Sequence, residues 1–444
     1  MKKVFFLSMA LLALTFFSCS EDNANNNPDN TGKETYSAIS LSFPKTTLKL
    51  TKAYDPTAAN SIETMVTSIG VYVVDDITNL MHGKVFNDTE FVQDADNDNK
   101  YTLTSALKTT TGQKRVFVVL NHGESLQSNI NNLRGSIFGE IPLVGTSSDY
   151  VTTSNLVMSS IAATPATLTV MTEQEALNEP IPVTVQRNTA KIAVKEKAAI
   201  TPVVGGTIAD LEFALVTEAK KSYLIQQGGN TLAIVKTPGR NITPIIADND
   251  YFTKLATPSV WKSVNTSATE NNSLDGYYAM ENVNDKNVMG NTTAAIIKAQ
   301  FTPTNNTVVV AYAENDVRLL GSIAAGESFY VKKSDYSFWS EAAYNEAIEA
   351  DLTEDLFTQI YQDGICYYRV WVQDNEGTRG VLRNTYYVLN ITKILGPGLP
   401  YVPGVNPENP DEPEAPNQPI EEDTLISVEV IILPWDLQSS DHEI

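Results

Sequence analysis

Thr424-Leu-Ile-Ser-Val-Glu-Val-Ile-Ile-Leu-Pro-Trp435, near the end of the 444-residue chain, shows most clearly which fold the sequence encodes. Its apolar residues at every second position are Ile426, Val428, Val430 and Ile432. That spacing predicts a β-strand with one buried face. Because an unpaired strand edge recruits other chains through main-chain hydrogen bonds, this strand can fold back onto its own domain or be donated to a neighbour.

The rest of the chain repeats the pattern of short β-branched and aromatic runs separated by Asn-, Asp-, Gly- and Ser-rich turns. The predicted strands are 69–74, 115–120, 168–170, 181–185, 191–194, 211–215, 294–297, 308–312, 367–372 and 386–394. Only Ser125–Leu133 and Phe338–Leu352 have a helical pattern. The predicted fold class is therefore all-β, built from β-sandwiches with few short helices.

The N-terminus is typical of an export signal. Lys2 and Lys3 precede an apolar segment, Val4–Phe17, that is too short to span a bilayer comfortably. Ser18 and Cys19 follow, and a small residue before a cysteine is typical of a bacterial lipoprotein signal, so Cys19 is the predicted lipidation site. The alternative is an ordinary secretory signal with a cysteine there by chance.

Composition excludes several classes of protein. The formal net charge is −22, so binding to nucleic acid through its phosphates is not expected. The chain has two cysteines, and with Cys19 lipidated, Cys366 has no partner for an internal disulfide. Cys366 lies in a predicted strand and is interpreted as a buried structural thiol.

Motifs for catalysis or metal binding are scarce. The chain has three histidines, far apart in sequence, and no nucleotide-binding loop, nucleophile elbow or zinc-protease helix. Asp94-Ala-Asp96-Asn-Asp98 resembles the start of a calcium loop, but Asn99 stands where the loop needs glycine. We therefore predict no enzymatic activity, no cofactor and no metal site.

A set of motifs resembles the bacteroidete-type fimbrillins, the shaft subunits of type V pili. Arg383-Asn384-x-x-Tyr387, followed by Leu389-Asn-Ile-Thr-Lys-Ile-Leu-Gly396-Pro-Gly398, resembles the signature near the C-terminus of that family. Similar pieces occur in the family's order at 115–123, 156–159, 185–192, 276–282 and 433–435. Together they cover nearly the whole chain, whose length is closer to that of the Mfa-type subunits than to that of the shorter major fimbrillins.

The resemblance implies two tandem transthyretin-like β-sandwich domains. On this basis residues 1–18 are the signal peptide, and 19–52 are a propeptide containing a removable strand. Residues 53–180 are the N-terminal domain, and 181–444 the C-terminal domain. The latter includes a Pro-rich loop or tether at 396–423, predicted to be exposed, and a C-terminal donor strand at 424–444. The donor-strand residues are Ile426, Val428, Val430, Ile432 and Trp435.

The family's assembly also implies a strand that a protease removes. Ser37–Phe43 supplies one, because Ile39, Leu41 and Phe43 alternate with serines. A Lys- and Thr-rich stretch, 45–52, follows it directly and is the predicted cleavable loop.

The position of the cut departs from the best-known family members, which are cleaved after arginine. The first arginine here is Arg115, inside a predicted core strand. The bond between Lys52 and Ala53 is therefore the first choice, with Lys49 and Lys45 as alternatives, and this implies a lysine-specific or broader protease. The other interpretation is that these lysines form only a solvated turn.

The function implied by the resemblance is that of a structural fimbrial subunit serving adhesion and biofilm formation. Its expected partners are other copies of itself, accessory fimbrial subunits, a processing protease, host or bacterial surface receptors and, through the precursor's lipid, the outer membrane. Two alternatives stay open: an accessory or tip subunit, and a monomeric surface lipoprotein that binds glycans with its tyrosine pairs. A surface glycosidase is a third, without a motif behind it.

Overall fold

The computed structural model describes residues 32–43, 61–95, 97–133, 144–152, 154–201, 205–233, 235–238, 253, 257–269, 274–283, 288–303, 308–312, 316–320, 323–334, 337–413, 417–420 and 425–435. Its α-helices are α1 Ser61–Thr64, α2 Glu124–Leu133, α3 Ser147–Tyr150, α4 Glu173–Asn178 and α5 Glu341–Glu349. Short 3-10 turns lie at Met289–Asn291, Glu354–Leu356 and Gln362–Gly364.

The first half of the chain contributes twelve strands. They are β1 Glu34–Ser37, β2 Ile39–Ser42, β3 Ser68–Asp75, β4 Met81–Asn87, β5 Phe91–Asp94, β6 Asn97–Leu103, β7 Leu107–Thr110, β8 Gly112–Leu120, β9 Val144–Thr146, β10 Met158–Ser160, β11 Thr164–Leu168 and β12 Ile181–Arg187.

The second half contributes the remaining strands. They are β13 Thr189–Thr201, β14 Gly206–Val216, β15 Lys221–Tyr223, β16 Lys262–Ser263, β17 Gly276–Met280, β18 Asn282–Val283, β19 Ala294–Pro303, β20 Val308–Tyr312, β21 Asp316–Leu320, β22 Phe329–Val331, β23 Phe338–Ser340, β24 Ile365–Trp371, β25 Gly380–Val381, β26 Thr385–Ile394, β27 Val405–Asn406, β28 Asn409–Pro413 and β29 Ile426–Pro434.

The first sandwich is built from one continuous hydrogen-bonded path. Its strand order is β4-β3-β8-β10-β12-β2-β6-β5, and β11 adds to β8. One face of β3 and β8 lines the main core, whereas Tyr72 and Phe117 on the opposite face pack with α2 through Leu126 and Ile130. Because both faces are covered, these strands are apolar at successive positions rather than only at alternate ones.

The second sandwich is built from two separate four-stranded sheets. One has the order β17-β13-β26-β29 and the other β16-β14-β19-β24. Their facing side chains, among them Ile192, Phe213, Ile297 and Leu389, form one buried cluster that also contains residues of α5. In this sandwich β29 and β24 each stand at the end of a sheet. The all-β prediction, with few short helices, is confirmed.

Pairing places the change from the first to the second sandwich a little later than residue 180. β12 belongs to the first sandwich, because it pairs with β10 and β2 and buries Val183 and Val185 in that core. β13 pairs with β17 and β26 of the second sandwich. The chain therefore crosses at Asn188, and the assignment of 181–187 to the second domain needs correction.

Two predicted elements have different bounds in the structure. The strand predicted at 168–170 lies earlier, as β11, where Pro165 is tolerated because β11 pairs on one side only. The helix predicted from Phe338 starts later, because Ser340 is its N-cap: the Ser340 hydroxyl accepts a hydrogen bond from the Ala343 N–H at 3.2 Å. Phe338 itself lies in β23.

The Pro-rich stretch also differs from an exposed tether. Within it, β27 and β28 pair with each other. Val402 and Val405 are buried against Trp371 and Ile296 of the second sandwich. The stretch is therefore docked over its first half, because its valines find an apolar face that β24 and β19 leave open. The prediction of exposure is wrong for this part.

Candidate assembly strands

β2, the strand predicted to be removable, lies in the interior of the first sandwich. It runs parallel to β12 on one side and antiparallel to β6 on the other. Ile39 and Leu41 are 0% exposed and Phe43 is 9% exposed, and all three belong to the first core. The Phe43 ring meets Tyr101 edge to face, with centroids 6.2 Å apart. The sequence therefore identified the buried face of β2 correctly.

A second N-terminal strand, β1, was missed by the sequence analysis. It pairs with β7, apart from the main sheet path. The Thr35 hydroxyl donates to the carbonyl oxygen of Thr169 at 2.7 Å and accepts from the Met171 N–H at 2.9 Å. Its polar, partly exposed residues give no apolar alternation, so only the long-range pairing reveals it. Residues Glu34–Ser42 thus contain two strands, of which β2 joins the main sheet of the first sandwich.

β29, the strand predicted to be the donor, pairs antiparallel with β26 of its own chain. Ile426 is buried, and the half-buried side chains packed against the second core include Val428, Val430 and Ile432. Of the two possibilities left open by the sequence, the structure shows the strand folded back.

β29 is covered incompletely. A cleft of about 310 Å³ lies between it and β24, lined by Val370 and Trp371 on one side and by Ile426, Val428 and Val430 on the other. The two sheets of the second sandwich are therefore not fully closed at this edge. The apolar face of β29 therefore packs against the second core and also borders an open space.

Trp435, directly after β29, is held much more firmly than the strand before it. It is 4% exposed. Its indole N–H donates to Glu63 Oε2 at 2.9 Å. The Tyr278 ring stacks on it, with centroids 6.0 Å apart and planes 7° from parallel, and the Arg187 guanidinium lies 4.6 Å from the ring centroid.

Glu63 of α1 forms hydrogen bonds with several of the residues around Trp435. Its side chain is 2% exposed, and Oε1 accepts hydrogen bonds from Lys191 Nζ and the Tyr278 hydroxyl, both at 2.8 Å. Arg187 donates to the Glu63 carbonyl oxygen at 2.9 Å and also to the carbonyl oxygen of Trp435. Burial, and then the negative Glu63 carboxylate, raises the pKa of Tyr278. We call Glu63, Arg187, Lys191, Tyr278 and Trp435 the junction.

Comparison with known proteins finds a family similarity in the C-terminal region. Residues 359–441 match the sequence model of the family described as "Major fimbrial subunit protein type IV, Fimbrillin, C-terminal". The match contains β24, β26 and β29. The resemblance to bacteroidete-type fimbrillins is confirmed.

The chain is also similar to solved structures, and the first of these supports the fold. A protein of Parabacteroides distasonis ATCC 8503 with a proposed role in cell adhesion is 15% identical, over 91% of this chain and 99% of its own, with a TM-score of 0.50. A fimbrillin from Porphyromonas gingivalis W83 is 16% identical over 91% of this chain and 99% of its own, with a TM-score of 0.46. No curated protein matches the chain in sequence.

Of the fimbrillin-type signature residues, Asn384 bridges the two sandwiches, whereas Arg383 and Tyr387 form contacts within the second. Arg383 and Glu281 form an ion pair of 3.0 Å, and both side chains are fully buried. Asn384, at φ 53°, accepts a hydrogen bond from the Arg187 N–H at 3.3 Å. The Tyr387 hydroxyl accepts from the Leu382 N–H at 2.9 Å. These roles are structural, which explains why the motif carries no recognisable chemistry.

The tyrosine pairs considered for glycan binding mostly face the core. Tyr368, Tyr386 and Tyr387 are buried, and Tyr278 is engaged in the junction. Cys366 is buried, as expected, with its sulfur 3.5 Å from the Tyr368 hydroxyl. This arrangement offers no continuous tyrosine surface at these pairs.

Several predicted sites lie outside the described residues: Cys19, Lys52 and Ala53, with the alternative cleavage residues Lys45 and Lys49. They stay predictions. Within the described ranges, no three His, Cys, Asp or Glu residues are grouped so that they could hold a metal ion. Among the described residues, none of the helices qualifies as a candidate membrane span.

Proposed function

We propose that the chain is a structural subunit of a cell-surface fimbrium of the type V kind, which polymerises by protease-triggered donor-strand exchange. The match of residues 359–441 to the fimbrillin C-terminal family supports the coarser part, a fimbrial and adhesive role. Adhesion to host or bacterial surfaces, biofilm formation and association with accessory subunits follow from that role.

The observation that carries the exchange mechanism is the position of β2. Because β2 lies between β12 and β6, its removal leaves two unpaired strand edges facing one slot. The slot loses the side chains of Ile39, Leu41 and Phe43, each worth roughly 1.5–3 kcal/mol of burial. A refilled slot regains that burial together with main-chain hydrogen bonds of a net ~0.5–1.5 kcal/mol each.

β29 has the alternation that such a slot requires. Its apolar residues recur at every second position, as those of β2 do, and it stands at a sheet edge where it is bonded on one side only. In such a contact the C-terminal strand of one subunit enters the slot of the next. The contact is therefore heterologous, and it propagates into a filament.

Processing is the trigger in this proposal. A cut after Lys52 separates β1 and β2 from the body of the chain, whereas Arg115 lies within β8, paired on both sides, where a cut would break the first sandwich. We expect N-terminal sequencing of sheared filaments to give Ala53, or the residue after Lys49 or Lys45. A filament subunit that still began before Tyr36 would contradict strand removal.

The precursor is proposed to reach the outer membrane through a lipid on Cys19. Acyl chains contribute about 0.8 kcal/mol per buried methylene, and in this proposal they attach the precursor to the membrane. Metabolic labelling with a clickable fatty acid should mark the wild-type chain and leave Cys19→Ala unlabelled. Equal labelling of both would end the lipoprotein proposal.

Deleting β29 is a poor test of donation, because β29 also completes its own sandwich. A reversible lock is better. Asn390 and Glu429 are cross-strand partners on the polar face, so the double variant Asn390→Cys with Glu429→Cys can bridge β26 to β29 without altering the core. When oxidised, this variant should be processed but remain monomeric, and reduction should restore filaments.

The matched control bridges two strands that do not donate. Glu212 and Lys298 are partners on β14 and β19, and Glu212→Cys with Lys298→Cys adds the same kind of bridge to the other sheet. We expect that variant to polymerise in either redox state. Filaments from the oxidised β26–β29 variant, seen by negative-stain microscopy, would exclude donation of β29.

A further inference from the structure

We propose that the junction is a latch that holds the C-terminal strand on its own chain before assembly, with Glu63 as the holding residue and Trp435 as the held one. The proposal rests on the proposed function in that it names the regulation of the same strand. It concerns when β29 leaves its own chain, not which groove it enters afterwards.

The first observation is that the two ends of the latch come from different sandwiches. α1 enters directly into β3 of the first sandwich, and Trp435 follows the last strand of the second. The bond from the Trp435 indole to Glu63 Oε2 therefore joins residues 372 positions apart. Arg187, at the end of β12, contacts the backbone of both residues. Holding Trp435 thus depends on how the sandwiches sit together.

The second observation is the contrast along β29 itself. Val428 and Val430 are half-buried beside an open cleft, whereas Trp435 is enclosed and bonded to a carboxylate. Hydrogen bonds to charged groups in buried sites are about twice as strong as neutral ones. Trp435 is consequently the point whose release limits the opening of the strand.

The third observation is that release does not leave the Glu63 charge unpaired. The Lys191 ammonium and the Tyr278 hydroxyl both bond Oε1, while Trp435 bonds Oε2. When Trp435 departs, the ion pair between Glu63 and Lys191 remains. A buried charge without a partner would make opening very costly. Because Lys191 stays paired with Glu63, the latch can open reversibly.

The test measures amide hydrogen exchange in the purified, unassembled full chain. Trp435→Phe keeps a ring to stack on Tyr278 but removes the N–H donor. We expect the β29 amides to exchange roughly 10- to 100-fold faster, the range for a lost hydrogen bond to a charged group. The amides of β13, which lies two strands away in the same sheet, should keep their protection and so report that the sandwich is folded.

Two further variants separate the latch from general damage. Tyr278→Phe also removes one hydrogen bond to Glu63, but it leaves the Trp435 bond in place, so β29 should exchange much more slowly than in Trp435→Phe. Glu63→Gln should accelerate β29, although it also changes the bonds from Lys191 and Tyr278. Its effect on β29 should add little to that of Trp435→Phe, because both weaken the bond between Trp435 and Glu63. Fully additive effects would contradict the latch.

The outcomes distinguish the latch from the proposed function. Unchanged β29 protection in both Trp435→Phe and Glu63→Gln overturns the latch, even if filaments assemble through β29. Faster β29 exchange in both variants supports the latch, even if the reversible lock shows that β29 is not donated. If donation holds, processed Glu63→Gln should also polymerise faster than wild type, since Glu63 lies in neither the donor strand nor the walls of the β2 slot.

Discussion

The two sandwiches of this chain are closed by different means. The first is a continuous path of strands in which β2 is an interior member, bonded on both sides and with its apolar face enclosed. The second consists of two separate sheets, and β29 closes one of them from the edge, next to an open cleft. Two strands with the same apolar alternation thus have very different attachments.

The difference shows which strand can leave without help. Freeing β2 breaks two ladders of hydrogen bonds and empties a core, so a chemical event such as proteolysis is needed to make its loss permanent. Freeing β29 breaks one ladder and, apart from buried Ile426, exposes strand side chains that are already half exposed. An edge strand held at one end is suited to reversible opening.

The largest expected effect compares single truncations in the two strands. Leu41→Ala, in the enclosed β2, should lower the free energy of unfolding of the unprocessed chain by about 2–5 kcal/mol, because it leaves a cavity in close-packed core. Val430→Ala, in half-buried β29, should cost about 1 kcal/mol. Urea unfolding of both variants measures the difference.

Ser40→Ala is the matched control for β2, since Ser40 lies on the opposite face of the strand from Leu41 and should tolerate truncation. If Val430→Ala were as costly as Leu41→Ala, β29 would be held as firmly as β2. The contrast between the sandwiches would then be false.

Much of both strands could be predicted from the sequence, because their alternation is local. Ile39 with Leu41, and Val428 with Val430, recur at period two whatever the strands pair with. The partners of those strands could not be predicted, since main-chain pairing carries no sequence code. Whether β29 folds back was therefore open until its register with β26 was seen.

The junction was hidden for a different reason. Glu63 lies 128 residues from Lys191 and 372 from Trp435, and nothing in the spacing relates a lone glutamate to a distant tryptophan. The only sequence signal was Trp435 itself, an aromatic residue directly after a strand. The hydrogen-bonding need of its indole N–H, once buried, is the clue that general chemistry offers.

The next-largest expected effect is a difference between the two sandwiches in how stability depends on pH. Burial raises the pKa of Glu218, just after β14 in the second sandwich, to about 7. An acid whose pKa is higher in the folded than in the unfolded state stabilises the fold only while it is protonated. Stability should therefore fall by about 3 kcal/mol as the pH rises from about 4.5 to 7.

Glu218→Gln tests this, because glutamine keeps the shape and stays neutral. Thermal unfolding at several pH values should show the variant matching wild type at pH 4.5 and exceeding it at pH 8. Glu376→Gln, at an exposed turn of the same sandwich, removes one charge without touching Glu218 and is the control. Parallel pH curves for wild type and Glu218→Gln would contradict the assignment.

The smallest effect has the opposite sign and belongs to the first sandwich. Burial raises the pKa of Asp75, but the Lys114 ammonium at 2.5 Å and bonds from Thr78 and the Ile77 N–H outweigh it, and the pKa falls to about 2. An acid with a lowered pKa stabilises the fold above its ordinary pKa, and that contribution is lost as the pH falls through the folded value. Stability should drop by about 2 kcal/mol between pH 4 and pH 2.

Asp75→Asn should flatten the loss of stability between pH 4 and pH 2, the acid limb of the pH curve. It should nevertheless lower stability at neutral pH, because Lys114 is then buried without its carboxylate. The limb should survive in Glu218→Gln, since the two acids lie in different sandwiches and their effects should add. Measured together, the variants assign acid sensitivity to the sandwich that encloses β2 and sensitivity to neutral pH to the sandwich that carries β29. An acid limb that persisted in Asp75→Asn would place the titrating group elsewhere and remove this distinction between the two.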